Sequence, residues 1–180
     1  MCGLLTAVIY TIGHSTRPLD EFLALLHVHG VDHVVDVRRY PGSRRYPQFG
    51  REALAAALAN AGVGYEHALD LGGRRVARAD SVNTAWRSAS FRGYADYMET
   101  QPFQTALAQL LDVARARPTA VLCAEAVPWR CHRQLIADAL VASGEPVGHI
   151  LSDATPEPHR LSAHARVLAP GRVRYPAAAV

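Results

Sequence analysis

The stretch His33-Val34-Val35-Asp36-Val37 is apolar from Val34 to Val37 except at Asp36. Short apolar runs of this kind are typical of strands buried on both faces of a parallel sheet. Similar runs near residues 8–12, 119–123 and 147–151 predict further strands, and residues 63–67 are a weaker candidate. Helices are predicted between them, near residues 18–29, 52–61, 91–99, 103–116 and 129–141. This alternation predicts the α/β class, a Rossmann-like, mostly parallel sheet with helices on both faces.

The composition is that of an ordinary globular domain. Of the 180 residues, 49% are hydrophobic and 19% charged, which excludes global disorder and low-complexity structure. No apolar run reaches the roughly 18 residues that a membrane span requires, so we expect no membrane partner. We predict one α/β domain over residues 1–180, in which residues 152–180 form a C-terminal tail that wraps the surface.

All 19 basic residues are arginine, so chemistry that needs a lysine Schiff base or a phosphate-binding lysine is excluded. The three cysteines are too few, and odd in number, for a disulfide framework. The first ten residues lack the basic region and cleavage site of a signal peptide. We therefore expect a cytoplasmic protein. Its net charge of +3 permits nucleic-acid binding without requiring it.

Polar residues follow three of the predicted strands. The first strand leads to His14 and Ser15, the second to Asp36 and Arg38, and the third to Cys123 and the polar residues after it. In an open parallel sheet, ligands bind beyond the carboxyl ends of the strands. These distant segments are therefore predicted to meet in one pocket at that edge of the sheet.

The loop from Arg38 to Arg51 contains five arginines and no acidic residue. Arginine suits phosphate because its planar guanidinium donates two parallel hydrogen bonds and stays charged. Aromatic residues between the arginines can stack on nucleobases. The alternative is a solvated loop whose arginines pair with nearby acidic residues. The predicted substrate-binding residues are Ser15, Asp36, Arg38, Ser43, Arg44, Tyr46 and Arg133.

The segment from Cys123 to Arg133 is the densest in reactive side chains. A cysteine at the end of a strand, before a loop and a helix, can be activated by backbone amides, a helix dipole and arginines. Cys123 has that position, whereas Cys131 is predicted to lie within the first turns of the helix. The alternative for Cys123 is a small buried core residue, because free cysteine is among the most buried residue types.

Glu125 and His132 are predicted to act as an acid–base pair, with His14 as a further proton carrier. The predicted catalytic residues are thus His14, Cys123, Glu125 and His132. Asp36 would orient Arg38 or His14. No metal site and no cofactor is predicted, because neighbouring residues of a helix point about 100° apart, and Cys131 and His132 are adjacent.

Three segments form a recognisable set: residues 11–17, Asp36 through Arg44, and Cys123-Ala124-Glu125 through Cys131-His132-Arg133. With Leu71-Gly72-Gly73-Arg74 and the segment Tyr94 through Met98, this set resembles the bacterial domain-of-unknown-function family number 488. The resemblance extends over about residues 7–151. It implies a compact α/β domain with a polar pocket, and it implies no particular activity.

A second, architectural resemblance is to rhodanese-type sulfurtransferases, in which a cysteine follows a strand and begins an anion-binding loop. Here six residues separate Cys123 from Arg130, one more than is usual in the related phosphatases, and Glu125 would repel a bound anion. Shared architecture does not by itself imply shared function.

Three functions are consistent with these patterns. The first is an enzyme acting on a phosphate-bearing small molecule or nucleic acid, with Arg38, Arg44 and Arg133 holding phosphate. The second is cysteine chemistry at Cys123, either sulfur transfer or phosphoester hydrolysis. The third is a nucleic-acid-binding module without catalysis, which would need the arginines but no acid–base pair.

Overall fold

The structure is a computed structural model that describes residues 8–42 and 44–177. The helices are α1 (Leu19–Val28), α2 (Arg51–Asn60), α3 (Ala89–Met98), α4 (Gln101–Ala116) and α5 (Arg133–Ala142). The strands are β1 (Ile9–Gly13), β2 (His33–Asp36), β3 (Gly64–His67), β4 (Thr119–Cys123), β5 (Val147–Ile150), β6 (Glu157–Pro158), β7 (Arg166–Ala169) and β8 (Arg172–Arg174). Within the described part of the chain, no helix is long and apolar enough to cross a membrane.

Six strands form one sheet in the order β3-β2-β4-β1-β5-β6, and β7 and β8 form a separate hairpin. The first five strands of the sheet are parallel, and β6 pairs antiparallel with β5. The predicted single-domain α/β fold with a mostly parallel sheet is confirmed.

Alternate residues of each strand face opposite sides of the sheet, so each strand contributes to two cores. Val34 faces the core that contains α1 and α2, whereas Val35 faces the core that contains α3, α4 and α5. In the same way Leu122 faces the first core and Cys123 the second. Both faces of the central strands are covered, which explains the apolar runs of β1, β2 and β4.

The order of the strands creates a crevice at the end of β4. The helices that follow β1 and β2 pack on one face of the sheet, and α5, which follows β4, packs on the other. Because β4 lies between β1 and β2, the connections diverge there to opposite faces. Such a switch point is the usual place for a ligand in an open parallel sheet.

The start of α5 differs from its prediction. The helix begins at Arg133, and a short 3-10 turn, Pro128–Arg130, precedes it. Between the two, Cys131 has an extended backbone, with φ −139° and ψ 150°. Pro128 begins the short turn, where the missing amide hydrogen costs nothing. Cys131 and His132 therefore lie before the helix and not within its first turns.

The C-terminal segment, predicted to wrap the surface, also joins the core. It supplies β6 to the edge of the sheet and the β7–β8 hairpin. Tyr175, just after β8, is fully buried, and its hydroxyl donates to Asp138 at 2.8 Å.

Candidate active site

The loop after Cys123 is held closely against the end of β1. The His14 amide donates to the carbonyl oxygen of Cys123 at 3.1 Å, and the Ser15 amide donates to that of Ala124 at 2.9 Å. A side chain at Gly13 would overlap the carbonyl group of Glu125, so glycine is required for this approach.

Arg133 fixes the same loop from below. The residue is 1% exposed, and Nη2 of its guanidinium donates to the carbonyl oxygens of Glu125, at 2.7 Å, and Ala126, at 3.3 Å. Arg133 was predicted to bind phosphate. In the structure it instead holds the backbone of the loop, and its side chain does not line the cleft described below.

Cys123, Cys131 and His132 form a group that we call the thiol cluster. The Nδ1 atom of His132 lies 4.0 Å from Sγ of Cys123 and 3.6 Å from Sγ of Cys131. The three atoms all lie within 4.8 Å of one another. The extended backbone at Cys131 brings its sulfur beside that of Cys123, which the predicted helix would not have done.

The two thiols are inequivalent. The hydrogen bond from Cys131, with the imidazole of His132 and the charge of Arg133, holds the pKa of Cys123 well below its usual range, although burial opposes this. The same hydrogen bond, together with burial, raises the pKa of Cys131 well above its usual range. The opposite shifts make Cys123 the more acidic of the two thiols and favour the proton on Cys131.

His132 is oriented by its surroundings. Its Nε2–H donates to the carbonyl oxygen of Val37 at 3.0 Å, which directs Nδ1 towards the sulfurs. The ring lies 4.9 Å from that of Tyr94, whose hydroxyl donates to the carbonyl oxygen of Leu71 at 2.6 Å. A side chain at Gly73 would lie 2.8 Å from Nδ1, so glycine leaves room for the imidazole.

The thiol cluster lies in a cleft of about 280 Å³ at the switch point of the sheet. Four arginines line this cleft, namely Arg38, Arg39, Arg74 and Arg130, and Glu125 is its only acidic lining residue among those described. Tyr40 is 66% exposed, and the Cζ atoms of Arg39 and Arg74 lie 5.8 and 5.7 Å from the centre of its ring. The cleft is therefore electropositive.

Arg38 is a buried residue with most of its donors already used. Its Nε and Nη2 groups donate to the two carboxylate oxygens of Asp36, at 2.9 and 2.6 Å, and its Nη1 donates to the carbonyl oxygen of Phe49 at 2.8 Å. Asp36 also accepts from the hydroxyl of Tyr65 at 2.8 Å. Arg38 borders the cleft, where its charge contributes to the positive field.

His14 lies behind the cleft. Its ring stacks on Phe49 at 4.3 Å, its Nδ1–H donates to the Ser15 carbonyl at 3.0 Å, and its Nε2 accepts from Arg38 at 3.3 Å. Burial and the charge of Arg38 lower the pKa of His14, so it is neutral at pH 7. Ser15 is half-buried with a positive φ of 48°.

Two further predicted substrate-binding residues, Arg44 and Tyr46, lie outside the cleft. Arg44 is exposed, and Tyr46 packs against the core that contains α1 and α2, beneath the guanidinium of Arg45. Neither lines the cleft. Ser43 lies outside the described residues.

Glu125 is exposed at the mouth of the cleft. Among the residues that the structure describes, no hydrogen bond joins its carboxylate to His132. The imidazole is instead paired with Val37 and the two sulfurs.

The thiol cluster also meets the distance requirement for a soft metal ion, since each residue offers one ligand atom. The prediction that Cys131 and His132 would diverge was wrong, because neither is inside the helix. The charge of the surroundings disfavours a cation: Arg38, Arg39, Arg74 and Arg130 line the same cleft. The same charges favour a thiolate.

Several residues of the site were not predicted from the sequence. Arg39, Arg74 and Arg130 carry the charge of the cleft, Tyr94 packs on His132, and Gly73 gives that histidine room. The sequence contains a signal for each of them: Arg39 belongs to the arginine-rich loop, and Gly73, Arg74 and Tyr94 belong to segments of the family resemblance. Arg130 follows Cys123 at nearly the spacing of an anion-binding loop.

The fold and the cleft define a three-layer α/β domain whose cleft, at the switch point of the sheet, contains two cysteines and a histidine. The model of the family described as Domain of unknown function DUF488 matches residues 18–140, and the chain belongs to this family. No curated protein and no solved structure matches the chain. The likeness to rhodanese-type domains stays a prediction.

Proposed function

We propose that the chain is an enzyme that attacks an anionic, phosphate-like substrate with the Cys123 thiolate. The observation that carries this proposal is the position of the Cys123 sulfur, 4.0 Å from an oriented imidazole in an arginine-lined cleft. Cysteine nucleophiles are activated in this way, by a lowered pKa and an adjacent base that a third group orients.

His132 is the acid–base group in this proposal. Its Nε2–H is occupied by the Val37 carbonyl, so only Nδ1 is available to exchange a proton with a sulfur or a leaving group. Glu125, exposed at the mouth of the cleft, acts on the substrate or on solvent and not through His132. His14, with both ring nitrogens engaged, positions Arg38.

Anion binding falls to Arg39, Arg74 and Arg130, whose guanidiniums line the cleft. Arg38 and Arg133 are positioning residues, because their donors hold Asp36, Phe49 and the carbonyls of the loop after Cys123. This proposal keeps the predicted phosphate-bearing substrate and assigns its recognition to different arginines.

The nucleophile is tested by alkylation of the intact protein with iodoacetamide across pH, with glutathione as the reference thiol. Mass mapping separates Cys123 from Cys131. We expect Cys123 to react about tenfold faster than glutathione at pH 7, with a midpoint shifted to lower pH. Labelling of Cys123 at the rate of glutathione, with the same midpoint, would overturn the proposal.

The anion site is tested by protection of Cys123 with inorganic phosphate. Phosphate is expected to slow alkylation in the wild type and to lose this effect in Arg130→Gln. Arg166→Gln, which alters an exposed arginine of β7, is the matched control and is expected to behave as the wild type. Equal protection of Cys123 by phosphate in all three proteins would show that the arginines of the cleft do not bind the anion.

Nucleic-acid binding without catalysis is the second candidate, and the exposed Tyr40 ring favours it. This ring, with the guanidiniums of Arg39 and Arg74 at 5.8 and 5.7 Å from its centre, offers a surface on which a base can stack. Binding of a single-stranded oligonucleotide that falls with salt, and that Tyr40→Ala weakens while Cys123→Ser does not, would support this function.

A further inference from the structure

We propose that Cys131 is the resolving thiol of the site, and that the substrate is a small disulfide carrying anionic groups. The inference rests on the proposed role of Cys123 as nucleophile. It replaces the phosphate-like substrate with an anionic disulfide, and it adds the reaction class and a second reacting atom. The two sulfurs lie within 4.8 Å of each other, and both are close to Nδ1 of His132, at 4.0 Å for Cys123 and 3.6 Å for Cys131.

The local backbone allows the two sulfurs to approach. A disulfide needs an S–S distance of about 2.05 Å, so the sulfurs must move closer to bond. Cys131 stands on an extended residue between a 3-10 turn and α5, and Cys123 stands at the end of β4. Neither cysteine is inside a helix, so a bond between them requires no helical turn to unwind.

The protonation of the pair suits an ordered exchange. Cys123, the more acidic thiol, attacks first as its thiolate, whereas Cys131, the less acidic one, keeps its proton until an intermediate has formed. Once Cys123 is bonded to sulfur it carries no charge, and the interaction that kept Cys131 protonated is lost. His132 Nδ1, 3.6 Å from that sulfur, is placed to receive the proton.

The exchange balances in two steps. The Cys123 thiolate attacks one sulfur of the substrate R–S–S–R, forms a mixed disulfide with it, and releases RS⁻. Cys131 then gives its proton to His132 and attacks the Cys123 sulfur, which expels the second RS⁻ and leaves a Cys123–Cys131 disulfide. The substrate is reduced by two electrons, and a dithiol reductant in solution returns the enzyme to its starting state.

The charge of the cleft selects the kind of disulfide. Arg39, Arg74 and Arg130 attract carboxylates or similar anions, and they stabilise the thiolate that leaves. They also disfavour a divalent metal ion, the other occupant that two sulfurs and an imidazole can hold. An anionic disulfide is therefore expected to react faster than a neutral one of similar size.

The experiment uses the full chain in a Cys2→Ser background and two probes, glutathione disulfide and the neutral 2-hydroxyethyl disulfide. Mass spectrometry of the oxidised wild type is expected to find a Cys123–Cys131 disulfide without bound glutathione. Cys131→Ser is expected to stop at glutathione on Cys123, and Cys123→Ser to acquire neither. We expect glutathione disulfide to react about tenfold faster than the neutral probe at low salt, and Arg130→Gln to reduce that preference.

A persistent glutathione adduct in the wild type would overturn the role of Cys131, while fast alkylation of Cys123 would still support the proposed function. Slow alkylation of Cys123 would overturn both. Equal rates with the two probes would overturn the anionic substrate class. Stoichiometric binding of zinc that blocks oxidation by either probe would assign the thiol cluster to a metal ion and overturn the inference.

Discussion

Two buried groups of side chains on the same face of the sheet contain histidine. They differ in how many of their polar atoms have hydrogen-bond partners. One is the thiol cluster. The other, which we call the histidine chain, consists of Thr11, His149, His159 and Asp138. Both groups adjoin α5, since Cys131 and His132 precede it and Asp138 lies within it.

Every polar side-chain atom of the histidine chain has a partner. The Thr11 hydroxyl donates to His149 Nδ1 at 2.7 Å, His149 Nε2–H donates to His159 Nδ1 at 3.0 Å, and His159 Nε2–H donates to Asp138 at 2.8 Å. Asp138 also accepts from the amide and hydroxyl of Ser162 and from the hydroxyl of Tyr175. The histidine chain, all of whose donors and acceptors are paired, joins β1, β5, α5 and the C-terminal segment.

The thiol cluster is paired less completely. Its imidazole has one firm hydrogen bond, to Val37, and its sulfurs lie 3.6 and 4.0 Å from Nδ1 beside an open cleft. A histidine whose two ring nitrogens both have firm hydrogen bonds, such as His149, is therefore structural. A histidine with one nitrogen beside thiols, such as His132, is available to exchange a proton.

The largest effect on stability is expected from Asp138→Ala. Three residues would lose their acceptor in a buried position, so we expect the free energy of unfolding to fall by about 3 kcal/mol or more. Urea denaturation measures this change. Asp112→Ala, which removes an exposed aspartate of α4, is the control and is expected to change it by less than about 0.5 kcal/mol. Equal stability of the two variants would show that the histidine chain does not hold the fold.

The sequence predicted the sheet because its parallel strands are apolar on both faces, as at Val34 and Val35. It also predicted that the residues after β2 and β4 lie close together, because the carboxyl ends of parallel strands lie at the same edge of a sheet. It did not predict the histidine chain. His149 and His159 belong to β5 and to the segment after β6, and nothing local in either segment indicates Asp138 as a partner.

The roles of the arginines could not be predicted for a related reason. A guanidinium is equally suited to a phosphate, a carboxylate or a backbone carbonyl, and only tertiary structure decides among them. Arg133 donates to the carbonyls of its own loop, and Arg39 and Arg74 line the cleft. The pairing of Arg38 with Asp36 is the one arginine contact that the sequence predicted. The position of Cys131 could not be predicted either, because the apolar pattern extends the helix back to about residue 129, whereas the backbone of Cys131 is extended.

The histidine chain is also expected to make stability depend on pH. Burial, with the neighbouring His159 imidazole and the charge of Arg133, lowers the pKa of His149 to about 4, against about 6.5 in the unfolded chain. Below pH 6.5 the unfolded state therefore binds a proton that the folded state does not. We expect the free energy of unfolding to fall by about 2 kcal/mol from pH 8 to pH 5 through this residue.

Urea denaturation at a series of pH values measures this dependence, with His149→Gln as the comparison. The variant is expected to be less stable at pH 8 and to lose less stability on acidification than the wild type. Parallel pH profiles of the two proteins would mean that His149 does not titrate abnormally in the folded state.

In the thiol cluster, a comparable test moves the histidine without removing it. Gly73→Ala places a methyl group 2.8 Å from Nδ1 of His132, so the imidazole must shift away from the sulfurs. We expect alkylation of Cys123 at pH 7 to slow by about tenfold, equivalent to about 1.4 kcal/mol in the barrier. Gly42→Ala, where the added carbon meets no atom within 4 Å, is the control. An unchanged alkylation rate in Gly73→Ala would show that the position of His132 does not affect the reactivity of Cys123.

The smallest effect is expected at the far end of the histidine chain. Thr11→Val keeps the shape of a β-branched side chain in β1 and removes only the hydroxyl that donates to His149 Nδ1. One buried acceptor would lose its partner, so we expect a loss of about 1 kcal/mol in the free energy of unfolding by urea. Alkylation of Cys123 should stay at the wild-type rate, because no hydrogen bond in the described residues joins Thr11 or His149 to the thiol cluster. A slower alkylation in Thr11→Val would mean that the two groups are coupled through the sheet, and the distinction between them would no longer hold.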